Sequence, residues 1–108
     1  MPQITMVNAT EAVATFNQGR ATIVDVREPE EYAAGHIPGA LLNPLSHFDP
    51  RQVPVEPGRD LILHCQAGIR CGYAAAQMVE SGFRGKINRL RGGFKAWREA
   101  GGPATTKA

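Results

Sequence analysis

The segment LILHCQAGIRCGYAAAQMVESG, residues 61–82, places a cysteine between a strand and a helix. The run that ends at His64 is apolar and is typical of a buried strand. From Cys71 onward, apolar residues recur at helical spacing, and Gly82 suits the end of that helix. Cys65 is therefore predicted at the carboxyl end of a strand, where a short loop leads into a helix N-terminus.

Strands and helices alternate along the rest of the chain. Five segments favour strands: ITM at 4–6, ATIVDV at 21–26, ALLN at 40–43, DLILH at 60–64 and KINRL at 86–90. Further helices are expected after Asn8, over PEEYAA at 29–34 and over GGFKAWREAG at 92–101, and the proline-rich residues 43–60 indicate a loop with one helical turn. This alternation predicts an α/β fold, a mostly parallel sheet with helices on both faces. We expect a single domain over residues 1–101 and a disordered tail over residues 102–108.

Composition argues against several classes of protein. The 108 residues are 43% apolar and 20% charged, which is ordinary for a globular domain. A net charge of +2 without a basic run argues against nucleic-acid binding. No apolar stretch is long enough to cross a membrane and no signal peptide is evident, so a cytoplasmic location is expected. The two cysteines form no CxxC pair and the histidines are scattered, so a metal site is not expected.

The surroundings of Cys65 are those of an ionised thiol. The N-terminus of a helix offers backbone N–H donors without intrahelical partners and the positive end of a dipole. Such sites lower the pKa of a cysteine from about 8.5 to about 3.5–7.5. Gly68 would let an amide turn inward, and Arg70 adds a permanent charge. A free cysteine is more often a small buried hydrophobe, but this glycine and this arginine favour a reactive one.

Three segments resemble the rhodanese, or sulfurtransferase, family. HCQAGIRC at 64–71 is similar to its active-site loop, which has a Cys-x-x-Gly-x-Arg pattern. VDVREPEEYAAGHIPGALLNP at 24–44 is similar to its Asp-x-Arg and Gly-His-Ile-Pro-Gly-Ala signatures, and LRGGFKAW at 90–97 is similar to its closing signature. Each motif alone is weak, but the three occur in the expected order over nearly the whole chain.

The resemblance implies a rhodanese-like fold and a thiosulfate sulfurtransferase. Cys65 is the implied nucleophile, and the backbone of Gln66, Ala67, Gly68, Ile69 and Arg70 is the implied substrate cradle. In the implied double displacement, Cys65 takes the outer sulfur of thiosulfate or a related donor and becomes a persulfide, which a thiol or cyanide then discharges. The implied partners are these small molecules, with a protein as a further sulfur acceptor, and the implied reaction needs no metal or organic cofactor.

Loop length bears on the alternatives. Four residues separate Cys65 from Arg70, one fewer than in the phosphatases and arsenate reductases that share this fold. The resemblance implies that the shorter loop fits a single sulfur atom and the longer one a tetrahedral oxyanion. A cysteine phosphatase or arsenate reductase is therefore disfavoured. A non-catalytic binding or sulfur-carrier module and a thiol-redox protein using Cys65 and Cys71 remain as alternatives.

Other residues near the predicted edge of the sheet have two interpretations each. Arg27 and Arg91 both follow strands and are candidates for substrate binding, although an ion pair with Asp25 or Glu31 is the favoured role of Arg27. Cys71 stands where the family usually has Ser or Thr. It is interpreted as a tolerated small residue in preference to a resolving thiol.

Overall fold

The chain alternates between strands and helices, as the sequence predicts. In the computed structural model, which describes residues 3–107, the strands are β1 (Gln3–Val7), β2 (Ala21–Asp25), β3 (Leu41–Leu42), β4 (Asp60–His64) and β5 (Lys86–Leu90). The helices are α1 (Ala9–Asn17), α2 (Pro29–Ala34), α3 (Arg70–Glu80) and α4 (Gly93–Glu99). Two 3₁₀ turns, Leu45–His47 and Pro50–Gln52, occupy the proline-rich segment, where the sequence predicts one helical turn. Every helix in this part of the chain falls short of the length and apolarity needed to cross a membrane.

The five strands form one parallel sheet in the order β1-β5-β4-β2-β3. The register pairs Asp25 with His64 and Leu63 with Arg89. Because the strands run in the same direction, the segments that follow β2, β4 and β5 meet at one edge of the sheet. The predicted α/β fold is confirmed, and it places Cys65 at this edge.

Apolar side chains of the central strands alternate between the two faces of the sheet. Leu61 and Leu63 of β4 pack in the core beneath α3, whereas Ile62 packs in the core beneath α1 and α4. Strands that are covered on both faces need nearly continuous apolar sequence, which explains the runs that predicted them. The fully buried Trp97 of α4 packs edge to face against Phe16 of α1, with ring centroids 5.4 Å apart.

The segment after α4, for which the sequence predicts a disordered tail over residues 102–108, forms hydrogen bonds with the domain. Trp97 Nε1 donates to the Pro103 carbonyl at 2.8 Å. Thr105 forms an antiparallel bridge with His36, with N–O distances of 2.8 and 2.9 Å. These hydrogen bonds, one from a side chain and two between backbone groups, connect the segment to the domain although it has few apolar side chains. Ala108 lies outside the described residues.

Candidate active site

Cys65 follows β4 directly and is almost completely buried, with an exposed fraction of 1%. The next four residues form a loop, and α3 begins at Arg70. Cys65 therefore lies at the carboxyl end of a central strand and before a helix N-terminus, where the sequence predicts it. Ligands of open parallel sheets bind beyond this end of the strands.

Backbone N–H groups of the loop point at the Cys65 sulfur. The Gly68 N–H donates to Sγ at 3.1 Å, and the N–H groups of Ala67 and Cys71 also act on the sulfur. Gly68 has a φ of +100°, a conformation that residues with a Cβ rarely adopt. A Cβ there would also lie 3.1 Å from the Gly92 nitrogen. Glycine at this position is what allows the loop to turn inward.

These donors lower the pKa of Cys65 to about 4. The hydrogen bond from the Cys71 side chain has the largest effect. The backbone N–H groups of Cys71, Gly68 and Ala67 add to it, and burial opposes it. A thiol with this pKa is a thiolate at neutral pH. The donors thus come from Ala67 and Gly68 of the predicted cradle and from Cys71, the residue that follows it.

Cys71 acts as a hydrogen-bond donor within the loop. Its side chain is completely buried, and its Sγ lies 3.3 Å from the Gly68 carbonyl oxygen. Its single S–H proton can be donated either to that carbonyl or to the Cys65 sulfur, and the thiolate is the stronger acceptor. The hydrogen bond with Cys65 raises the pKa of Cys71, and burial raises it further. Cys71 therefore keeps its proton while Cys65 loses one. Of the two interpretations from sequence, this geometry favours a small packing residue, with the added role of donor, over a resolving thiol.

Helix α4 closes the back of the loop. The Phe94 N–H donates to the Cys65 carbonyl at 2.8 Å, and the Lys95 N–H donates to the Gln66 carbonyl at 3.3 Å. Gly93 has a φ of +63°, and a Cβ there would lie 2.5 Å from the carbonyl oxygens of Cys65 and Gln66. The second glycine of the segment LRGGFKAW is thus required for the helix to reach the loop.

Arg27 lies in a buried ion pair. Its guanidinium donates to both carboxylate oxygens of Asp25, at 2.8–3.1 Å, and to the Gly35 carbonyl at 2.7 Å. It also lies over the Phe94 ring, 4.4 Å from the centroid, and only 3% of it is exposed. The remaining contact, 3.4 Å from Nη1 to Gln66 Oε1, links the pair to the loop. Of the two roles considered for Arg27, the ion pair with Asp25 is the one these contacts support.

His64 is buried beside this ion pair. Its Nδ1 lies 3.1 Å from the Cys65 carbonyl oxygen, and its Nε2 lies 3.5 Å from Asp25 Oδ2. Burial lowers the pKa of His64, so the ring is neutral and donates from Nδ1 to the carbonyl. It supports the main chain of Cys65 and not the sulfur.

The other two predicted arginines are less buried than Arg27: Arg70 is partly exposed and Arg91 is exposed. Both terminal nitrogens of Arg70 donate to the Glu31 carboxylate, at 2.7 and 2.8 Å. Glu31 also accepts a hydrogen bond from the Glu28 N–H at the start of α2. The Arg91 side chain is exposed, while its N–H donates to the Val7 carbonyl at 2.9 Å. Arg70 thus joins the loop to α2, and its charge is already compensated.

One charged residue at the site was not identified from the sequence. Arg89 of β5 lies beneath the loop, and its Nη2 donates to the Gly68 carbonyl at 2.8 Å. A signal was present, because Arg89 interrupts the apolar alternation of a strand that otherwise predicts burial. Gly72 in the first turn of α3 was a second signal, since glycine is a poor helix former.

Known proteins resemble this chain over most of its length. Residues 8–100 match the family described as Rhodanese-like domain. The chain is 40% identical over 107 residues to the uncharacterized protein slr1261 of Synechocystis sp., and the match covers 95% of this chain but 59% of that protein. It is 33% identical over 97 residues to the thiosulfate sulfurtransferase GlpE of Pseudoalteromonas translucida, with 87% and 89% covered. The crystal structure of the Alr3790 protein from Anabaena sp. superposes with a TM-score of 0.80 at 28% identity, covering 94% of this chain and 82% of that one.

Proposed function

The chain belongs to the family of rhodanese-like domains, and from this membership and the Cys65 loop we propose that it is a sulfurtransferase. The observation that carries the proposal is the hydrogen bond from the Gly68 N–H to the buried Cys65 sulfur at 3.1 Å. A sulfur that accepts backbone donors and has a pKa of about 4 is a nucleophile at neutral pH. Such a thiolate persists in a reducing compartment, which supports a cytoplasmic location.

The proposed reaction has two displacements. The Cys65 thiolate attacks the outer sulfur of thiosulfate, the S–S bond of the donor breaks, and sulfite leaves with the electron pair. Cys65 then holds a persulfide. Cyanide or a thiolate, from a small molecule or a protein, attacks the outer sulfur, and the Cys65 thiolate is released. No net oxidation of the enzyme is required, and the loop amides stabilise the anionic sulfur before and after transfer.

The other residues predicted at the site have proposed roles that range from direct contact with the transferred sulfur to an indirect effect on substrate binding. The backbone of residues 66–70 is proposed to hold the transferred sulfur, with the Cys71 N–H as an additional donor. The exposed Arg91 is proposed to attract anionic donors to the loop. For Arg27 we retain only an indirect contribution to substrate binding, through its contact with Gln66.

The loop argues against the phosphatase alternative. A phosphate needs a wide ring of donors and a free guanidinium to match its oxygens. Here four residues separate Cys65 from Arg70, and the Arg70 guanidinium already donates two hydrogen bonds to Glu31. The depressed pKa of Cys65 also argues against a binding module, because recognition alone does not require an ionised thiol.

The proposal is tested by intact-protein mass spectrometry before and after thiosulfate. We expect the parent to gain the mass of one sulfur atom and to lose it on addition of cyanide or excess thiol. Cys65→Ser should gain nothing, and Cys71→Ser should still load. A Cys65→Ser variant that turns over thiosulfate at the parent rate would refute the assignment. Loading by another sulfane-sulfur donor, with none by thiosulfate, would refute only the choice of donor.

A further inference from the structure

Arg89 is a charged side chain in a central strand, beneath the Cys65 loop. Strand β5 lies between β1 and β4, and its neighbouring residues Ile87 and Leu90 are completely buried. Burying part of a guanidinium in such a place costs free energy unless its charge and donors are used. The contacts of Arg89 show what they are used for.

Gly68 connects Arg89 to the Cys65 sulfur. It accepts from Arg89 Nη2 through its carbonyl at 2.8 Å, and donates through its N–H to Cys65 Sγ at 3.1 Å. The Cys71 Sγ lies 3.3 Å from the same carbonyl oxygen, and both Arg89 and Cys65 affect the pKa of Cys71. The guanidinium therefore reaches the sulfur through the main chain of Gly68, with the Cys71 thiol beside it.

The charge of Arg89 is not compensated by a carboxylate. Within residues 3–107, the arginines in ion pairs are Arg27, Arg51, Arg59 and Arg70. The Nε of Arg89 is buried without a hydrogen-bond partner in this part of the chain. The site thus has one arginine that is neutralised by Glu31 and another that is not.

Gly72 makes room for the guanidinium. A Cβ at this position would lie 2.9 Å from Arg89 Cζ and 2.9 Å from Nη2. Alanine would favour the helix more than glycine does, so helix stability does not explain why glycine stands at this position. The space that the Arg89 side chain needs explains it.

We infer that Arg89, and not Arg70, is the positioning residue that fixes the loop and supplies its uncompensated positive charge. By holding the Gly68 carbonyl, Arg89 turns the N–H of the same peptide plane, that of Ile69, in the opposite direction. Ile69 immediately precedes α3, so its N–H has no intrahelical partner and is left for the anion that the loop binds. The inference rests on the proposed function only in taking Cys65 as the nucleophile.

The test is the pH profile of Cys65 alkylation by iodoacetamide, with peptide mapping to identify the modified cysteine. Arg89→Met should raise the midpoint by about one pH unit, which is about tenfold slower alkylation at pH values below both midpoints. The midpoint of Arg89→Lys should lie between those of Arg89→Met and the parent. Lys86→Met, on the same strand but exposed, should match the parent, and Arg70→Met should shift the midpoint less than Arg89→Met. His64, which contacts the Cys65 carbonyl, and Cys71 are the other titratable groups next to Cys65, and both are unchanged in all these variants.

Gly72→Ala separates this role from folding. The added methyl group should displace the guanidinium and raise the alkylation midpoint, while thermal unfolding stays at or above the parent temperature. In an Arg89→Met background the same change should have no further effect on the midpoint. If Gly72→Ala keeps the parent profile, or if Arg70→Met shifts the midpoint more than Arg89→Met, the inference is wrong. Alkylation needs no sulfur donor, so normal profiles with no sulfur loading would refute the proposed function alone.

Discussion

The Arg70 guanidinium and the Glu31 carboxylate form a two-bond ion pair, with N–O distances of 2.7 and 2.8 Å, between the start of α3 and α2. The two residues are 39 positions apart in the chain. Arg70 is the arginine that the sequence predicts at the end of the Cys65 loop, and both of its terminal nitrogens bond to Glu31. The ion pair therefore connects the loop to the segment VDVREPEEY at 24–32. One consequence can be measured as a function of pH.

Glu31→Gln should lower the free energy of unfolding at neutral pH, and the difference from the parent should disappear in acid. The Arg70 hydrogen bonds lower the folded-state pKa of Glu31 from 4.5 to about 2. A lowered carboxyl pKa stabilises the fold fully above the unfolded value of 4.5, and the contribution is lost as pH falls toward about 2. Both side chains are about one-third exposed, so screening limits the effect to less than about 1 kcal/mol.

The measurement is urea unfolding of parent and variant at several pH values between neutrality and pH 2. Gln at position 31 keeps one oxygen as the acceptor for the Glu28 N–H, and its amide nitrogen replaces the oxygen that accepts from Arg70 Nη2, so the charge and one hydrogen bond are removed. Glu30→Gln, a neighbouring exposed carboxylate, is the control and should show no such convergence. A difference between parent and Glu31→Gln that stays constant with pH would contradict the expected ionic contribution.

Cys71→Ala should raise the pKa of Cys65 above its value of about 4, because it removes the side-chain donor that lowers this pKa most. Cys71→Ser keeps a donor of similar size, and a hydroxyl is a stronger donor than a thiol. We therefore expect the serine variant to match the parent or fall below it. The measurement is the pH profile of Cys65 alkylation. Identical profiles for the alanine and serine variants would show that the Cys71 hydrogen bond does not affect the sulfur.

Lengthening the loop by one glycine after Ala67 should reduce sulfur loading from thiosulfate. The insertion separates the Gly68 N–H, now 3.1 Å from Cys65 Sγ, from the sulfur it stabilises. The parent should show negligible hydrolysis of aryl phosphates. Steady phosphatase turnover by the parent, abolished in Cys65→Ser, would reverse the ranking of the two enzyme functions.

Gly93→Ala should destabilise the domain by about 2–4 kcal/mol, from overpacking and from a strained positive φ. Its Cβ would lie 2.5 Å from the carbonyl oxygens of Cys65 and Gln66. Gly101→Ala is the matched control, because Gly101 also has a positive φ but has nothing within 4 Å of the added Cβ. Urea unfolding should show a smaller loss of unfolding free energy, about 1–2 kcal/mol, for Gly101→Ala. Equal losses for the two variants would mean that the positive φ, and not the contact of the added Cβ, causes the destabilisation.

The strands and helices of this fold could be predicted because the spacing of apolar residues in the sequence reflects which side chains are buried. DLILH at 60–64 and KINRL at 86–90 coincide with β4 and β5, and the position of Cys65 followed from the element before it and the element after it. The inward turn at Gly68 was predictable for the same local reason, since only glycine takes its φ without strain.

The partners of the arginines were not predictable in this way. Choosing Glu31 for Arg70, or Gly68 for Arg89, requires knowing how distant segments pack, and apolar periodicity carries no such information. The segment 102–107 is a similar case, because its hydrogen bonds to Trp97 and His36 leave no local pattern in the sequence.

The position of β5 between β1 and β4 sets an order of events during synthesis. β1 leaves the ribosome early, yet its pairing partner is β5, and Thr5 bonds to Asn88 across 83 positions of the chain. Contacts this distant in sequence slow folding. The α4 donors that close the loop emerge later still. Because the hydrogen bonds from α4 hold the Cys65 and Gln66 carbonyls in place, we expect Cys65 to reach its lowered pKa only after residues 86–99 have joined the fold.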